Sequence, residues 1–300
     1  MSWHTLTLHA SAEQLDTVEK LLWGMGALSV TIEDAADQPI FEPGPKETPV
    51  WHQNRVTALF DVHADMEALA AGLIDAGFPG SLTDELEDRV WEREWLQRFQ
   101  PMRFGRRLWI CPAQQAIPEE SASGEDPVIL HLDPGLAFGT GSHATTRLCL
   151  TWLDSQCLKS KTLLDYGCGS GVLAIAAALL GAQSVTGLDI DPQAIIASKD
   201  NANKNSVTDR IHWHLVSNEP VGRSAVEQTQ VDFLVANILA QPLKDLSHQL
   251  LACLGKGGRL AMSGIMIKQA SEVMAVYSKA LRFDPVQVLD GWVLLSGERI

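Results

Sequence analysis

The chain has 300 residues, which suffices for about two domains of roughly 150 residues each. Hydrophobic residues make up 46% and charged residues 20%, a composition that builds a substantial core and excludes wholesale disorder. The 37 acidic and 23 basic residues leave a net charge of −14, which argues against nucleic-acid binding driven by charge. Residues 1–126 hold 22 acidic and 9 basic residues, against 15 and 14 in residues 127–300. The acidic first part therefore predicts attraction of a basic partner.

The cysteines and the N-terminus indicate a cytoplasmic protein. The five cysteines are odd in number and form no Cys-x-x-Cys pair, so we expect reduced thiols and no metal site. The start, Met-Ser-Trp-His-Thr-Leu, does not have the pattern of a signal peptide. Residues 166–188 carry no charge but contain five glycines, which favours a strand, loop and helix over a membrane span. We expect no association with membranes.

Residues 1–87 predict a small α+β domain. Ser11 and Gln14 form a capping box at the start of a helix that ends near Gly26. Period-2 alternation and helical spacing indicate the other elements: strands at 3–8, 28–32, 56–62 and 81–87, and a second helix at 65–76. The order β-α-β-β-α-β is typical of a ferredoxin-like domain.

Residues 88–127 predict a linker helix and a connecting segment. Trp91, Trp95 and Phe99 recur every four residues and form one aromatic stripe on a charged helix. We interpret this helix as a linker packed on a neighbouring domain, in preference to an aromatic substrate-binding face. Residues 118–127 have the composition of a solvated loop.

Residues 128–300 predict an α/β domain. Apolar runs alternate with helical patterns, and the predicted strands are 128–132, 162–166, 184–189, 211–216, 231–236, 258–263 and 291–296. Helices between most of these strands predict a doubly wound, mostly parallel seven-stranded sheet of Rossmann-like type, covered on both faces.

A glycine-rich loop follows the predicted strand 162–166 and leads into an Ala/Leu-rich helix. Its alternating glycines are Gly167, Gly169 and Gly171. The dinucleotide fingerprint G-x-G-x-x-G would require glycine where Val172 stands. Asp165, just before the loop, would repel a pyrophosphate but could receive a cationic amino group. The loop therefore favours a cofactor other than a dinucleotide.

Two polar residues end separate strands of the predicted sheet. Asp189 lies 22 residues after Gly167, where a carboxylate accepts both hydroxyls of a ribose. Asp191, followed by Pro192, is interpreted as the N-cap of the next helix. Asn237 ends the strand 231–236, and we place it in the crevice rather than as a helix cap.

This ordered set resembles the fold of S-adenosylmethionine-dependent methyltransferases. The resemblance rests on acid-x-Gly-x-Gly-x-Gly, an acid ending the second strand of the set and Asn ending the strand 231–236. Four further segments resemble the ribosomal protein L11 methyltransferase family, and the resemblance covers essentially the whole chain: 91–95 (WEREW), 107–112 (RLWICP), 132–146 (LDPGLAFGTGSHATT) and 237–240 (NILA). Ser142 and Ala144 stand where that family usually has Thr and Pro, but every glycine and the Thr pair are present.

The resemblance implies a fold, a cofactor and a substrate. It implies that residues 128–300 form the methyltransferase domain and bind S-adenosylmethionine through Thr146, Gly167, Asp189 and Asn237. Asp165, Gly169 and Gly171 complete the expected cofactor site, and Asn237 is the expected catalytic residue. It also implies that residues 1–87 recognise L11, a basic protein whose lysine side chains and N-terminal amine become methylated.

Other functions remain compatible with the sequence. The same fold serves methyltransferases that act on another protein, on RNA or on a small molecule, as well as binding proteins without catalysis and nicotinamide enzymes. No pattern identifies a general base: His131 and His143 are candidates only by their position, and a structural role is favoured for each. The sequence leaves the oligomeric state open, a monomer included.

Overall fold

A computed structural model describes the chain over residues 2–36, 50–79, 82–87, 100–112, 115, 117, 126–132, 143–216 and 230–300. The chain divides into two compact units, Met1–Trp91 and Glu92–Ile300. The predicted aromatic helix at 88–99 and residues 133–142 of the signature lie outside the described residues. Among the helices in the described ranges, none is both long and apolar enough to cross a membrane.

The first unit follows the predicted element order. Its elements are β1 (Ser2–Ser11), α1 (Leu15–Gly24), β2 (Ser29–Asp34), β3 (Gln53–Asp61), α2 (Met66–Asp75) and β4 (Leu82–Glu87). They form one antiparallel sheet of order β2-β3-β1-β4. Each strand of one βαβ unit therefore pairs with a strand of the other.

The alternation of buried residues along β3 and the capping box before α1 explain how the first unit folds. Alternate residues of β3 are buried, including Val56 and Phe60, and the α1 residues Val18 and Leu22 belong to the same buried cluster. The Ser11 N–H donates to Oε1 of Gln14 at 3.0 Å, as the capping-box pattern predicts. One face of the sheet and the apolar stripes of its helices thus share a core.

A three-stranded sheet belongs to the second unit. Its strands are β5 (Met102–Phe104), β6 (Leu108–Cys111) and β7 (Val128–His131), in the order β5-β6-β7. Two expectations change here. The apolar run at 128–132 is not a strand of the large sheet, because it pairs in parallel with β6. The described part of the predicted connector at 88–127 contains two strands, because the turn at Gly105 folds β5 back on β6.

The large sheet has eight strands rather than the predicted seven. Its strands are β8 (Thr162–Tyr166), β9 (Ser184–Asp189), β10 (Ile211–Leu215), β11 (Val231–Asn237), β12 (Leu254–Met266), β13 (Leu281–Phe283), β14 (Gln287–Leu289) and β15 (Trp292–Arg299). The order is β10-β9-β8-β11-β12-β15-β13, with β14 paired to β15. The first five strands in this order are parallel, and β15 is antiparallel to β12, β13 and β14.

Helices cover both faces of this sheet. They are α3 (Ala144–Ser155), α4 (Val172–Leu179), α5 (Pro192–Lys204), α6 (Ala240–Asp245), α7 (Ser247–Cys253) and α8 (Ala270–Tyr277). Leu163 and Leu164 are neighbours in β8 but belong to separate buried clusters, so both faces of the sheet are buried. The chain reverses its winding between β8 and β11, and ligands bind open α/β sheets at such a switch point.

The start of the second unit makes a testable prediction. Phe104, Leu108 and Ile110 are at most 2% exposed and belong to the core of the large sheet. A fragment of residues 92–300 should unfold cooperatively in urea. A fragment of residues 113–300 lacks these three side chains and should be less stable by at least about 5 kcal/mol. Urea denaturation followed by circular dichroism compares the two, and equal midpoints would contradict the assignment of β5 and β6 to this unit.

Candidate functional site

The loop after β8 depends on glycine for its backbone conformation. Gly167, Gly169 and Gly171 have φ angles of 79°, 53° and 79°, in the left-handed region that residues with a Cβ rarely adopt. The N–H groups of Gly167 and Cys168 both donate to the carbonyl of Leu188 in β9, at 2.8 and 2.9 Å. The loop is therefore anchored to the neighbouring strand before α4 begins.

Trp213 of β10 fills the space that two glycines leave. A Cβ at Gly187 would lie 2.3 Å from the indole ring, and a Cβ at Gly171 would lie 2.7 Å from it. The Cβ of Ser198 in α5 would be 3.0 Å from the added Cβ at Gly171. The sequence predicts a cofactor contact at Gly171. The structure shows that its missing side chain makes room for protein atoms, a role that the glycine pattern did not reveal.

Gly167 lies against the segment that follows β11. A Cβ at Gly167 would be 2.4 Å from Cγ2 of Ile238, and a Cβ at Gly264 would be 2.2 Å from the Ile238 carbonyl oxygen. Gly264 has a φ of 83° and lies where the pairing of β12 with β15 shifts register. Sequence reasoning missed this residue, although glycine inside a strand is a known signal of a bulge or a close backbone approach.

Asp189 lies at the carboxyl end of β9, where the sequence places it. Its Oδ2 accepts the N–H of Gly169 at 2.8 Å, and its Oδ1 accepts the N–H of Asp191 at 3.0 Å. Asp191 caps α5 by accepting the N–H of Gln193 at 2.9 Å, as the Asp-Pro pattern predicts. Each Asp189 oxygen retains acceptor capacity, so the carboxylate links the loop to β9 and can accept further hydroxyl groups.

Asp165 is a fully buried carboxylate beneath the loop. Its Oδ2 accepts the N–H of Ala174 at 3.0 Å, whereas its Oδ1 is buried without a hydrogen-bond partner in the described part of the chain. Burial raises the pKa of Asp165, the bond from Ala174 lowers it and nearby Asp189 raises it, and together these effects bring the pKa to about 7. A donor such as a cationic amino group would satisfy this acceptor.

Asn237 and Thr146 meet although they lie 91 residues apart. Nδ2 of Asn237, at the end of β11, donates to Oγ1 of Thr146 at 3.3 Å. Thr146 is buried in the first turn of α3, so the helix start and the strand end share this contact. Helix α6 begins at Ala240 with Leu239 at its N-cap, which shows that Asn237 does not cap that helix.

The side chain of His143 makes structural contacts, whereas the hydrogen bonds described at His131 involve its backbone and its ring Nδ1 is buried without a partner in the described part of the chain. His143 caps α3, because its Nδ1 accepts the N–H of Thr145 at 3.3 Å, and its ring contacts the edge of Trp292 at 5.1 Å between centroids. The backbone of His131 is held from both sides by the Asn205 side chain, with two bonds of 2.7 Å. Among the described residues, no group of three or more His, Cys, Asp or Glu side chains comes together as a metal site would require.

The site lies at the carboxyl ends of β8, β9 and β11, at the switch point of the sheet. The register pairs Tyr166 with both Leu188 and Ala236, so the residues that follow them converge: the glycine loop, Asp189 and Asn237. The loop at this switch point, with a carboxylate and a carboxamide at the strand ends beside it, defines a Rossmann-like protein, and such a site suits a nucleoside cofactor.

Comparison with known proteins gives the family. Residues 2–300 match the family described as Ribosomal protein L11 methyltransferase (PrmA), and the chain belongs to this family. Proteins named ribosomal protein L11 methyltransferase from Pseudomonas putida (strain W619) and Photobacterium profundum are 50% and 48% identical to it over 303 residues. The chain and the Pseudomonas putida protein are covered completely, and the chain and the Photobacterium profundum protein are each covered to 99%.

A solved structure supports the fold. A ribosomal protein L11 methylase from Lactobacillus delbrueckii subsp. bulgaricus is 32% identical, with a TM-score of 0.59. The match covers 67% of this chain and 99% of that one. The family resemblance and the Rossmann-like methyltransferase fold that the sequence predicts are therefore confirmed, and the protein is a methyltransferase.

The raised pKa of Asp165 predicts how the stability of the protein changes with pH. Its pKa is about 7 in the folded protein against an ordinary value of 3.8, so between these values the folded state holds a proton that the unfolded chain has released. Stability should therefore fall as the pH rises from 4 to 7, by up to about 1.4 kcal/mol per pH unit, and change no further above 7 on account of this group. Asp165→Asn should remove this slope. Urea denaturation at four pH values tests it, and parallel curves for the two proteins would exclude the effect.

Proposed function

We propose that this protein transfers methyl groups from S-adenosylmethionine to lysine side chains and the N-terminal amine of ribosomal protein L11. The names of its full-length relatives support this substrate. The observation that carries the proposal is the convergence of the glycine loop, Asp189 and the Thr146–Asn237 pair on adjacent strand ends. Convergence at one crevice is what a reaction between a bound cofactor and an incoming amine requires.

S-adenosylmethionine fits the groups present in the crevice. The orphan Oδ1 of Asp165 would accept a hydrogen bond from its amino group, which removes the unsatisfied buried acceptor. Asp189 would accept the ribose hydroxyls with the lone pairs that its two backbone bonds leave. The positive φ angle at Gly169 supports a close approach of the ligand to the loop backbone there, whereas Gly167 packs against Ile238.

The residues of this chain would orient the acceptor amine, and the crevice would favour its neutral form, whose proton has left to solvent. When bound, the cofactor would supply a methyl group on a positively charged sulfur. The amine nitrogen would bond to the methyl carbon in line, and the sulfur would leave with the electrons of the broken bond. A lysine with an ordinary pKa near 10.4 arrives charged, and a crevice that excludes water lowers the pKa of that amine. Thr146 holds Nδ2 of Asn237, which leaves the carboxamide oxygen to accept a hydrogen of the amine while its lone pair faces the methyl group.

The charge distribution supports a basic protein as the substrate. Most of the net charge of −14 belongs to residues 1–126, which hold 22 acidic and 9 basic residues. Such a field attracts a basic ribosomal protein and disfavours direct contact with nucleic acid. We assign substrate recognition to residues 1–87, connection to 88–127 and methyl transfer to 128–300, and we place the reaction in the cytoplasm.

Methyl-labelled S-adenosylmethionine tests the proposed substrate. Purified L11, the remaining ribosomal proteins and ribosomal RNA are incubated separately with the full-length enzyme, and mass spectrometry locates the label. We expect label on lysine and α-amino nitrogens of L11 alone. Asn237→Ala should lower kcat about 100-fold, because the amine loses its orienting partner. Label on RNA, or on another protein instead of L11, would replace the proposed substrate.

Calorimetry of cofactor binding tests the two carboxylates. Asp189→Ala should weaken binding by about 1–3 kcal/mol, because the buried hydroxyls lose their acceptor. Wild-type affinity should fall as the pH drops below about 7, since protonated Asp165 no longer attracts the amino group, and Asp165→Asn should abolish this pH dependence. Asp191→Ala is the matched control, because that side chain only caps α5. Unchanged affinity in a folded Asp189→Ala variant would remove this residue from the ribose contact.

A further inference from the structure

The sheet edge next to Asn237 carries two exposed apolar side chains. Leu239 and Ile267 are 48% and 55% exposed. Leu239 follows Asn237 by two residues, and Ile267 directly follows β12, in which Ser263 is the register partner of Asn237. Both side chains therefore lie at the edge where methyl transfer is proposed. Both side chains are therefore accessible to a substrate that approaches Asn237.

An exposed carboxylate lies in the turn that contacts Ile267. The hairpin between β14 and β15 turns through Asp290 and Gly291, whose φ angles are 49° and 80°. Two positive φ angles are typical of a type I′ turn, which accepts Asp or Asn followed by Gly. The Gly291 carbonyl accepts the N–H of Ile267 at 3.1 Å, so the turn is attached directly to the apolar segment. Asp290 is exposed and forms no ion pair with the residues that the structure describes.

This surface, the acceptor rim formed by Leu239, Ile267 and Asp290, is connected to the site. Trp292 follows the Asp290 turn and contacts His143, and the helix that His143 caps carries Thr146, the partner of Asn237. In the sheet, β15 is separated from β11 only by β12, and Trp292 is the register partner of Met266, three residues beyond Ser263, which places the ends of β11 and β15 about 14 Å apart. A substrate segment lying over the end of β12 would thus contact the rim and bring a side chain to Asn237.

We propose that the acceptor rim binds the lysine-bearing segment of the protein substrate. Leu239 and Ile267 contact the aliphatic stem of the lysine and its apolar neighbours, and Asp290 attracts the ammonium group before it enters the crevice. The inference rests on the proposed function, because it requires an amine as the methyl acceptor. A cationic segment fits an unpaired carboxylate, whereas a second copy of this chain would bring another net charge of −14.

Lys268 provides a second test of the proposal, because its charge is opposite to that of Asp290. It is exposed and follows Ile267 directly, so it repels the ammonium that Asp290 attracts. Removing each charge should therefore change the KM for the substrate in opposite directions. A role of the rim in folding alone would not produce this pattern.

The experiment measures L11 methylation by the full-length enzyme, together with the Kd for L11 in the absence of cofactor. Three variants change the rim: Asp290→Asn, which preserves the turn, Ile267→Ser and Lys268→Gln. Two controls make matched changes elsewhere. Asp209→Asn removes an exposed charge just before β10, at the opposite edge of the sheet, and Val276→Ser changes a residue near the end of α8 that is 45% exposed.

We expect KM and Kd for L11 to rise about two- to fivefold in Asp290→Asn and about fivefold in Ile267→Ser, and to fall about twofold in Lys268→Gln. The value of kcat, the affinity for S-adenosylmethionine and the Tm should stay at wild-type values. Both controls should match wild type in every measurement.

Two failures are distinguishable. If wild-type enzyme methylates lysine in L11 but the rim variants match their controls, the rim is not the binding surface, although the proposed function stands. A rise in KM for both Asp290→Asn and Lys268→Gln would also overturn the charge argument. If wild-type enzyme places no methyl group on an amine of L11, the proposed function fails and the rim proposal fails with it.

Discussion

The packing of Ile238 between two glycines determines the position of the site. Gly167 of the loop and Gly264 of β12 both have positive φ angles, and a Cβ on either would lie within 2.4 Å of Ile238 atoms. This double contact brings the end of β11 against the glycine loop, so that Asn237 meets Thr146. A side chain at either glycine would push the β11 segment outward and separate the carboxamide from the loop. The geometry of the proposed methyl transfer therefore depends on two missing side chains.

Asp165 shows why such a site is less stable than an ordinary core. A fully buried carboxylate with one unpartnered oxygen costs folding free energy, and its pKa of about 7 expresses that cost. The proposed cofactor removes the cost by donating from its amino group, which converts an unfavourable feature of the free protein into cofactor affinity. The same group explains why stability and cofactor binding should depend on pH in opposite directions: acid stabilises the free fold and weakens the proposed complex.

The proposed recognition of the substrate divides into a long-range and a short-range part. The charge of residues 1–126 acts at a distance and attracts any basic protein. It therefore speeds the encounter with the substrate but does not select the amine that is methylated. The acceptor rim acts by contact, through two apolar side chains and one carboxylate beside Asn237. Such a division is consistent with the proposed methylation of several amines of one protein, because only the contact surface has to accept each segment in turn.

The sequence predicted most of the elements and the residues of the proposed site, because both depend on local patterns. Apolar runs predicted the strands that end at Tyr166 and Asp189. The polar residues at the strand ends, Asp165, Asp189 and Asn237, were predicted to form one site. The sequence did not determine which strands pair with one another. The apolar run at 128–132 has the pattern of a strand of the large sheet, and only its pairing with β6 shows that it belongs to the small one. Likewise, the roles of Trp213 and Gly264 and the contact across 91 residues between Thr146 and Asn237 depend on which segments approach one another. Local sequence restricts backbone conformation, whereas such approaches are decided by the packing of the whole unit.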